Sequence, residues 1–331
     1  MKVVVFSKYG MSTNQMYQGV HQGLKELGIP FCDINIMAER YGQSRPSPKS
    51  IPQLKPSSRF QKQDQGILER LWAFQPDLIL ITQAEGLCFL VDHGPEIKRL
   101  KAIVAYWLCD LAYQVFPNQA LGQLLDFMFL TNQGQIPKYQ KQWGIKNIFY
   151  MPQGFIPYPP GYQKKERSKD LVFLGRRYPG DRRYNERNRF LDQIAQKFDY
   201  TERDDVPSEK MSQFLSDFKI VLGMNWRNDV ELYTSDRLFL VLGAGAFYLT
   251  HYFPGLERLF QNRRHLVWFK NIDEAEALIR YFLKNDQERE SIAQQGYLLA
   301  LQKHTYRHRL KNIFDIISKK TDRFYGFLEE E

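Results

Sequence analysis

The residues that could do chemistry stand directly behind short apolar runs. Leu171–Leu174 is followed by Gly175-Arg176-Arg177, and Ile220–Leu222 by Gly223-Met224-Asn225. Further on, Thr234-Ser235-Asp236-Arg237 opens a helical pattern. Glycine lets a ligand approach the backbone, and the arginine fork matches phosphate oxygens. Thr234 or Ser235 can cap the helix, whose first amides and dipole favour an anion. Singly, each is an ordinary turn or cap. Together, Gly175, Arg176, Asn225, Ser235 and Arg237 read as a diphosphate cradle. His251 closes the run Ala246–Thr250 and is a candidate contact to the same ligand or its co-substrate.

Two carboxylates stand at comparable places in the first half. Asp110 follows the run Ala102–Trp107, and Glu85 follows Leu78–Thr82. A hydroxyl nucleophile needs a positioned base, or help from the leaving phosphate. Asp110 is the preferred base and Glu85 the second candidate; the plain alternative for Asp110 is a helix cap or a structural aspartate. No metal site is expected. There is no His-Glu-x-x-His, and His304 and His308 lack further ligands and read as structural. Gly243-Ala244-Gly245 follows a helix and precedes a strand, the reverse of a dinucleotide-binding turn. The arginines from Arg176 to Arg189, with Tyr178 and Tyr184 among them, resemble a nucleic-acid face. No nucleic-acid-binding signature accompanies them, so a phosphate site beside a solvated helix is the simpler reading and a nucleic-acid partner is not expected.

These residues need elements to hold them. Apolar runs at Val3–Phe6, Phe31–Ile36, Leu78–Thr82, Ala102–Trp107, Phe127–Leu130 and Asn147–Tyr150 alternate with helical patterns, which predicts a parallel sheet covered on both faces. A helix is expected to start near Thr13, after a break at Ser7–Gly10. Met37 to about Gln65 reads as a long mobile insertion. Pro157-Tyr158-Pro159-Pro160-Gly161 reads as a linker. The rhythm then restarts, with strands at Leu171–Leu174, Ile220–Leu222, Ala246–Thr250 and Leu266–Trp268. Helices are expected over about 186–197, 208–217, 235–243, 272–284, 286–301 and Tyr306–Phe327. The expected fold class is α/β, two Rossmann-like domains facing a central cleft. Residues 1–156 form an acceptor-side domain, 157–305 a ligand-binding domain, and 306–331 a final helix that packs back on the first domain. Ligands of such sheets sit beyond the carboxyl ends of the strands.

The second half resembles the CgeB-like glycosyltransferases, a spore-protein-related branch of the GT-B enzymes. The matching stretches are Asp170–Gly175, Ser235–Phe239, Gly245–Thr250, Pro254–Glu257 and His304-Thr305-Tyr306 with Arg309. Trp107-Leu108-Cys109-Asp110 resembles a shorter motif of the first half. The resemblance implies GT-B architecture and transfer of a sugar from a nucleotide-sugar donor, a co-substrate with no other cofactor. It implies that Arg176 and Arg237 face the diphosphate. One position departs from the family: the ribose-binding glutamate after Arg-Leu-Phe is Leu240 here, and Glu231 only approximates its partner. That departure implies a differently held ribose, weak donor affinity or lost catalysis. The alternative function is a noncatalytic GT-B-like module that binds an anionic polymer or a partner protein.

Composition bounds these readings. The chain has 331 residues, 43% of them hydrophobic, which is enough for two cores and excludes global disorder. The net charge of +9 concentrates anions such as nucleotide diphosphates. Three cysteines without Cys-x-x-Cys spacing fit a reducing compartment. With no secretory leader in Met1–Ser7 and no apolar stretch long enough to span a bilayer, the expected location is the cytoplasm; peripheral contact with a membrane surface stays open.

Overall fold

The computed structural model describes residues 1–7, 15–41, 61–157, 167–178, 180–204 and 206–328. The break after Ser7, the helix start near Thr13, the middle of the Met37–Gln65 segment and the linker from Tyr158 to Gly161 lie outside those residues.

The first sheet is built from β1 (Val3–Phe6), β2 (Phe31–Ile34), β3 (Leu78–Ile81), β4 (Ile103–Leu108), β5 (Phe127–Leu130) and β6 (Ile148–Tyr150). Its order is β2-β1-β3-β4-β5-β6 and every pairing is parallel. β1, β3 and β5 are buried along their whole length. That burial on both faces is why they read as unbroken apolar runs rather than alternating ones. The second sheet contains β7 (Lys169–Leu174), β8 (Tyr200–Arg203), β9 (Phe218–Gly223), β10 (Tyr248–His251) and β11 (Val267–Phe269). Its order is β11-β10-β9-β7-β8, again all parallel. The strand order therefore reverses at β7, beside β9, where a ligand crevice is expected.

Three readings change. β8, Tyr-Thr-Glu-Arg, carries no apolar run because it is an edge strand and only partly buried. The final helix ends at Ile317, ten residues early. Lys319 takes a left-handed φ of 56° and Lys320 donates back to the Asp315 carbonyl at 2.8 Å, which turns the chain. Phe324 therefore belongs to a returning tail and packs edge-on against Tyr150, their centroids 5.1 Å apart. Third, the edges of the Met37–Gln65 segment are ordered helices, Ile36–Tyr41 and Gln61–Phe74. They are pinned by buried ions: Arg40 donates to Asp64 at 2.8 and 2.6 Å and lies 2.8 Å from Asp92, and His93 reaches Asp64 at 2.8 Å.

The C-terminal helix ties the second sheet back to the first. The helix Tyr306–Ile317 lies against the helix Gln15–Glu26, where Gly19 and Gly23 leave room for Tyr306 and Leu310; a Cβ on Gly19 would collide with the Tyr306 ring. Arg309 holds this corner. It is 1% exposed and donates to the carbonyls of Pro152, Gln153 and Lys303, each at 3.0 Å, and to His304 Nδ1 at 2.8 Å. Burial lowers its pKa to about 9. Arg309→Met should leave three carbonyls, the buried one of Pro152 among them, without this donor and cost about 3 kcal/mol, seen as a lower denaturant midpoint.

Candidate active site

Carboxyl-end loops of the two sheets meet. Gln133, after β5, donates its backbone N–H to the Glu231 carbonyl at 2.9 Å, and Thr234 donates to the Thr131 carbonyl at 3.3 Å. Across this junction, the Tyr233 hydroxyl donates to Asp110 Oδ1 at 3.1 Å. The cleft floor is thus the ends of β4 and β5 on one side and of β7 and β9 on the other.

At the end of β7 lie two buried guanidiniums. Arg237 is 8% and Arg187 6% exposed. Both sit over the Phe173 ring, at 4.5 and 5.5 Å from its centroid. Arg237 stands in the first turn of the helix Asp236–Gly243 and donates Nε to the Leu174 carbonyl and Nη1 to the Met224 carbonyl at 3.2 Å. Arg187, on the helix Asn185–Ala195, donates Nη2 to the Arg176 carbonyl at 2.6 Å, and its Nε is buried without a partner. Among the described residues neither forms an ion pair with a carboxylate. Burial, and then the neighbouring Arg237 charge, lowers the Arg187 pKa to about 10. It is still a cation at neutral pH, and a buried, uncompensated pair of cations is costly unless an anion joins it. Gly175 supplies the approach: its φ is 147°, and a Cβ there would stand 2.6 Å from Arg237 Nη2.

The other candidates separate. Ser235 is the N-cap of the Arg237 helix, but its side chain makes no capping bond; Asp236 Oδ1 takes the Arg237 N–H instead, at 2.8 Å. Asn225 is buried and serves its own loop, donating to the Tyr233 carbonyl at 3.0 Å and accepting, through its carbonyl, from Asn228 at 3.2 Å. Arg176 is not brought to the arginine pair. Its side chain is exposed and bonded to Asp204 at 2.8 Å, since the turn after Gly175 sends it to the sheet edge while its carbonyl receives Arg187. His251 donates from Nδ1 to the Tyr252 carbonyl, 2.6 Å away, and lines a separate cavity of about 370 Å³ with Arg189, Phe269 and Lys270. Glu231 is not a partner of Arg237; it faces Arg258 at 3.5 Å. Leu240 is half-buried, one turn after Arg237. His304 bonds Arg309, and its ring packs between Phe239 and Phe260, with centroids 5.2 and 5.0 Å away.

Asp110 faces the cleft. It is open to solvent on that side, while protein crowds it from the others. That crowding raises its pKa; the Leu111 N–H at 2.7 Å and the Tyr233 hydroxyl oppose the rise, Asp236 adds to it, and Arg183 opposes it. A carboxylate with a raised pKa and a free face suits proton acceptance. Glu85 sits in the first turn of the helix Ala84–Asp92, half-buried, and makes no bond to Asp110 or Tyr233.

Chains with this two-sheet architecture have been solved before. Sucrose-phosphate synthase from Thermosynechococcus elongatus superposes with a TM-score of 0.63 at 10% identity, over 97% of this chain and 100% of that one. HepE of Anabaena, in complex with UDP-glucose, gives 0.61 at 12% identity over 96% and 100%. A DNA-modifying β-glucosyltransferase gives 0.57 at 11% over 96% and 99%. The fold is GT-B. Within it, residues 163–315 match a family described as glycosyl transferase-like, a stretch that includes Gly175, Arg187, Asn225, Ser235, Arg237 and His251. No curated protein matches the chain in sequence. The GT-B fold and the family match of its second half together support glycosyl transfer. Among the described residues, no helix of this GT-B chain is long and apolar enough to cross a membrane.

Proposed function

We propose that the chain transfers a sugar, a hexose in the first instance, from a nucleotide-sugar donor to an acceptor hydroxyl, and that it belongs with the CgeB-like branch. The observation that carries this reading is the Arg187–Arg237 pair: two buried cations without a carboxylate partner among the described residues, beside a glycine at the point where the strand order reverses. A diphosphate leaving group supplies the missing charge, and preorganised donors stabilise it as it departs. The arginines and the helix end at Ser235 neutralise it without requiring a metal. Residues 157–305 hold the donor, residues 1–156 present the acceptor to Asp110, and the setting is cytoplasmic.

Leu240 favours a second reading, a binding module that has lost catalysis, because a half-buried leucine cannot bond a ribose. A panel of nucleotide sugars separates the two. Under the first reading, one nucleoside diphosphate at about 100 times its dissociation constant stabilises the protein by roughly 2.7 kcal/mol, and the matching nucleotide sugar is slowly hydrolysed to that diphosphate. Stabilisation by polyanions alone, abolished by salt, would support the module.

A further inference from the structure

A chain of aromatic rings runs from solvent to Asp110. Tyr113, in the loop after β4, is 68% exposed. Its ring faces Trp226, after β9, at 6.3 Å; Trp226 faces Tyr184 at 6.2 Å, and Tyr184 stacks on Tyr178 at 4.5 Å. Trp226 also stands 6.4 Å from Tyr233, the residue that donates to Asp110. An open tyrosine backed by the half-buried rings of Trp226 and Tyr184, where the two sheets meet, marks a binding surface.

The charges on this wall decide what it binds. Arg183 lies 5.6 Å from both the Tyr113 and Tyr184 rings, but its guanidinium is bonded to Asp181 at 2.9 and 3.0 Å. Arg227 is likewise bonded to Asp229 at 2.6 Å. Each arginine thus has a carboxylate partner two residues away. Asp110 is acted on by the carboxylate of Asp236 and, in the opposite sense, by Arg183. Arg187, a cation without a carboxylate among the described residues, stands 4.6 Å from the Tyr184 ring, and the donor diphosphate takes up its charge.

We propose that Tyr113, Trp226 and Tyr184 form the acceptor platform, and that the acceptor is an uncharged pyranose, the terminal sugar of a neutral glycan or glycoside, stacked on the rings with a hydroxyl at Asp110. Pyranose rings offer apolar C–H faces to aromatic rings and hydroxyls to the carboxylate. With the diphosphate on Arg187, a phosphorylated, sulfated or uronic acceptor meets two carboxylates, and the arginines beside the rings, Arg183 and Arg227, are already bonded to Asp181 and Asp229. Nucleic acid would stack on the same rings, but it needs its phosphates neutralised. The inference rests on the glycosyltransferase reading and adds the class of acceptor.

The test uses the full chain, saturated with whichever nucleoside diphosphate it binds, on an immobilised panel of neutral oligosaccharides, uronate- and sulfate-bearing glycans and single-stranded oligonucleotides. Retention on neutral termini, insensitive to 0.5 M salt as roughly expected of uncharged contacts, is the expected result. Tyr113→Ala and Trp226→Ala should each weaken that retention about tenfold or more, with diphosphate affinity held within about twofold. Tyr113 is exposed enough that its variant keeps the fold should Trp226→Ala unfold. Retention chiefly on charged probes, equal retention by Tyr113→Ala, or no neutral glycan held by a chain that binds the diphosphate would each overturn the acceptor assignment alone. A parent chain that binds no nucleoside diphosphate would overturn the glycosyltransferase reading beneath it.

Discussion

Asp110→Asn is expected to lower glycosyl transfer by about 10²–10⁴-fold, the usual worth of a positioned general base, while nucleoside-diphosphate affinity holds. The side chain keeps its shape and its bond to Tyr233, so the loss isolates proton acceptance. The pH profile carries a second signature. Crowding by protein raises the Asp110 pKa, and the group works only when deprotonated. Transfer should therefore fall as pH drops through a value above the ordinary aspartate pKa of about 3.9. Tyr233→Phe removes a hydroxyl that favours the charged form, so its acid limb should move to higher pH. A loss under about tenfold in Asp110→Asn would assign proton acceptance to the donor phosphate instead.

Arg187→Met and Arg237→Met should each weaken nucleotide-sugar binding by about 1.5–3 kcal/mol, the scale of a charged hydrogen bond. They should differ without ligand. Arg237 satisfies the Leu174 and Met224 carbonyls, so its loss should also cost about 1–3 kcal/mol of stability. Arg187 is a buried cation with no carboxylate, and a methionine of similar reach removes the burden of desolvating it. Its variant also leaves the Arg176 carbonyl without that donor, which opposes the gain, so it should lose less stability than Arg237→Met. Arg187→Lys should rescue binding only in part, because a point charge cannot make the planar fork. Donor affinity and denaturant midpoint, measured on both variants, check the pattern.

The scaffold was legible where burial is two-sided. Val3–Phe6, Leu78–Ile81 and Phe127–Leu130 are apolar at every position because both faces of each strand are covered. Tyr200–Arg203 was not legible, since an edge strand presents polar residues to solvent. Asp110 and Arg237 were singled out by their places behind a strand and at a helix start. What Arg237 touches was not: its bonds run to backbone carbonyls 13 and 63 residues away, and no local pattern announces them. Arg187 did carry a signal. It is in step with Phe190, Leu191 and Ile194, the buried face of its helix, and a charged residue on that stripe is out of place unless something pairs with it. Its five neighbouring arginines hid it. Arg176 was drawn in by its position after Gly175, but chain direction after the turn, not sequence adjacency, decides where a side chain points.

The proposed donor site rests on Arg187 and Arg237 holding a diphosphate. A calorimetric cycle isolates it: the nucleoside diphosphate that binds best and its own nucleoside are each titrated into the parent chain and into Arg187→Met. In the parent, the diphosphate should bind at least about 100-fold more tightly than the nucleoside, and in the variant that advantage should shrink by roughly 10- to 150-fold. Nucleoside affinity should be the same in both chains. If the diphosphate keeps its full advantage in Arg187→Met, the phosphates lie elsewhere, and the donor site is not at the end of β7.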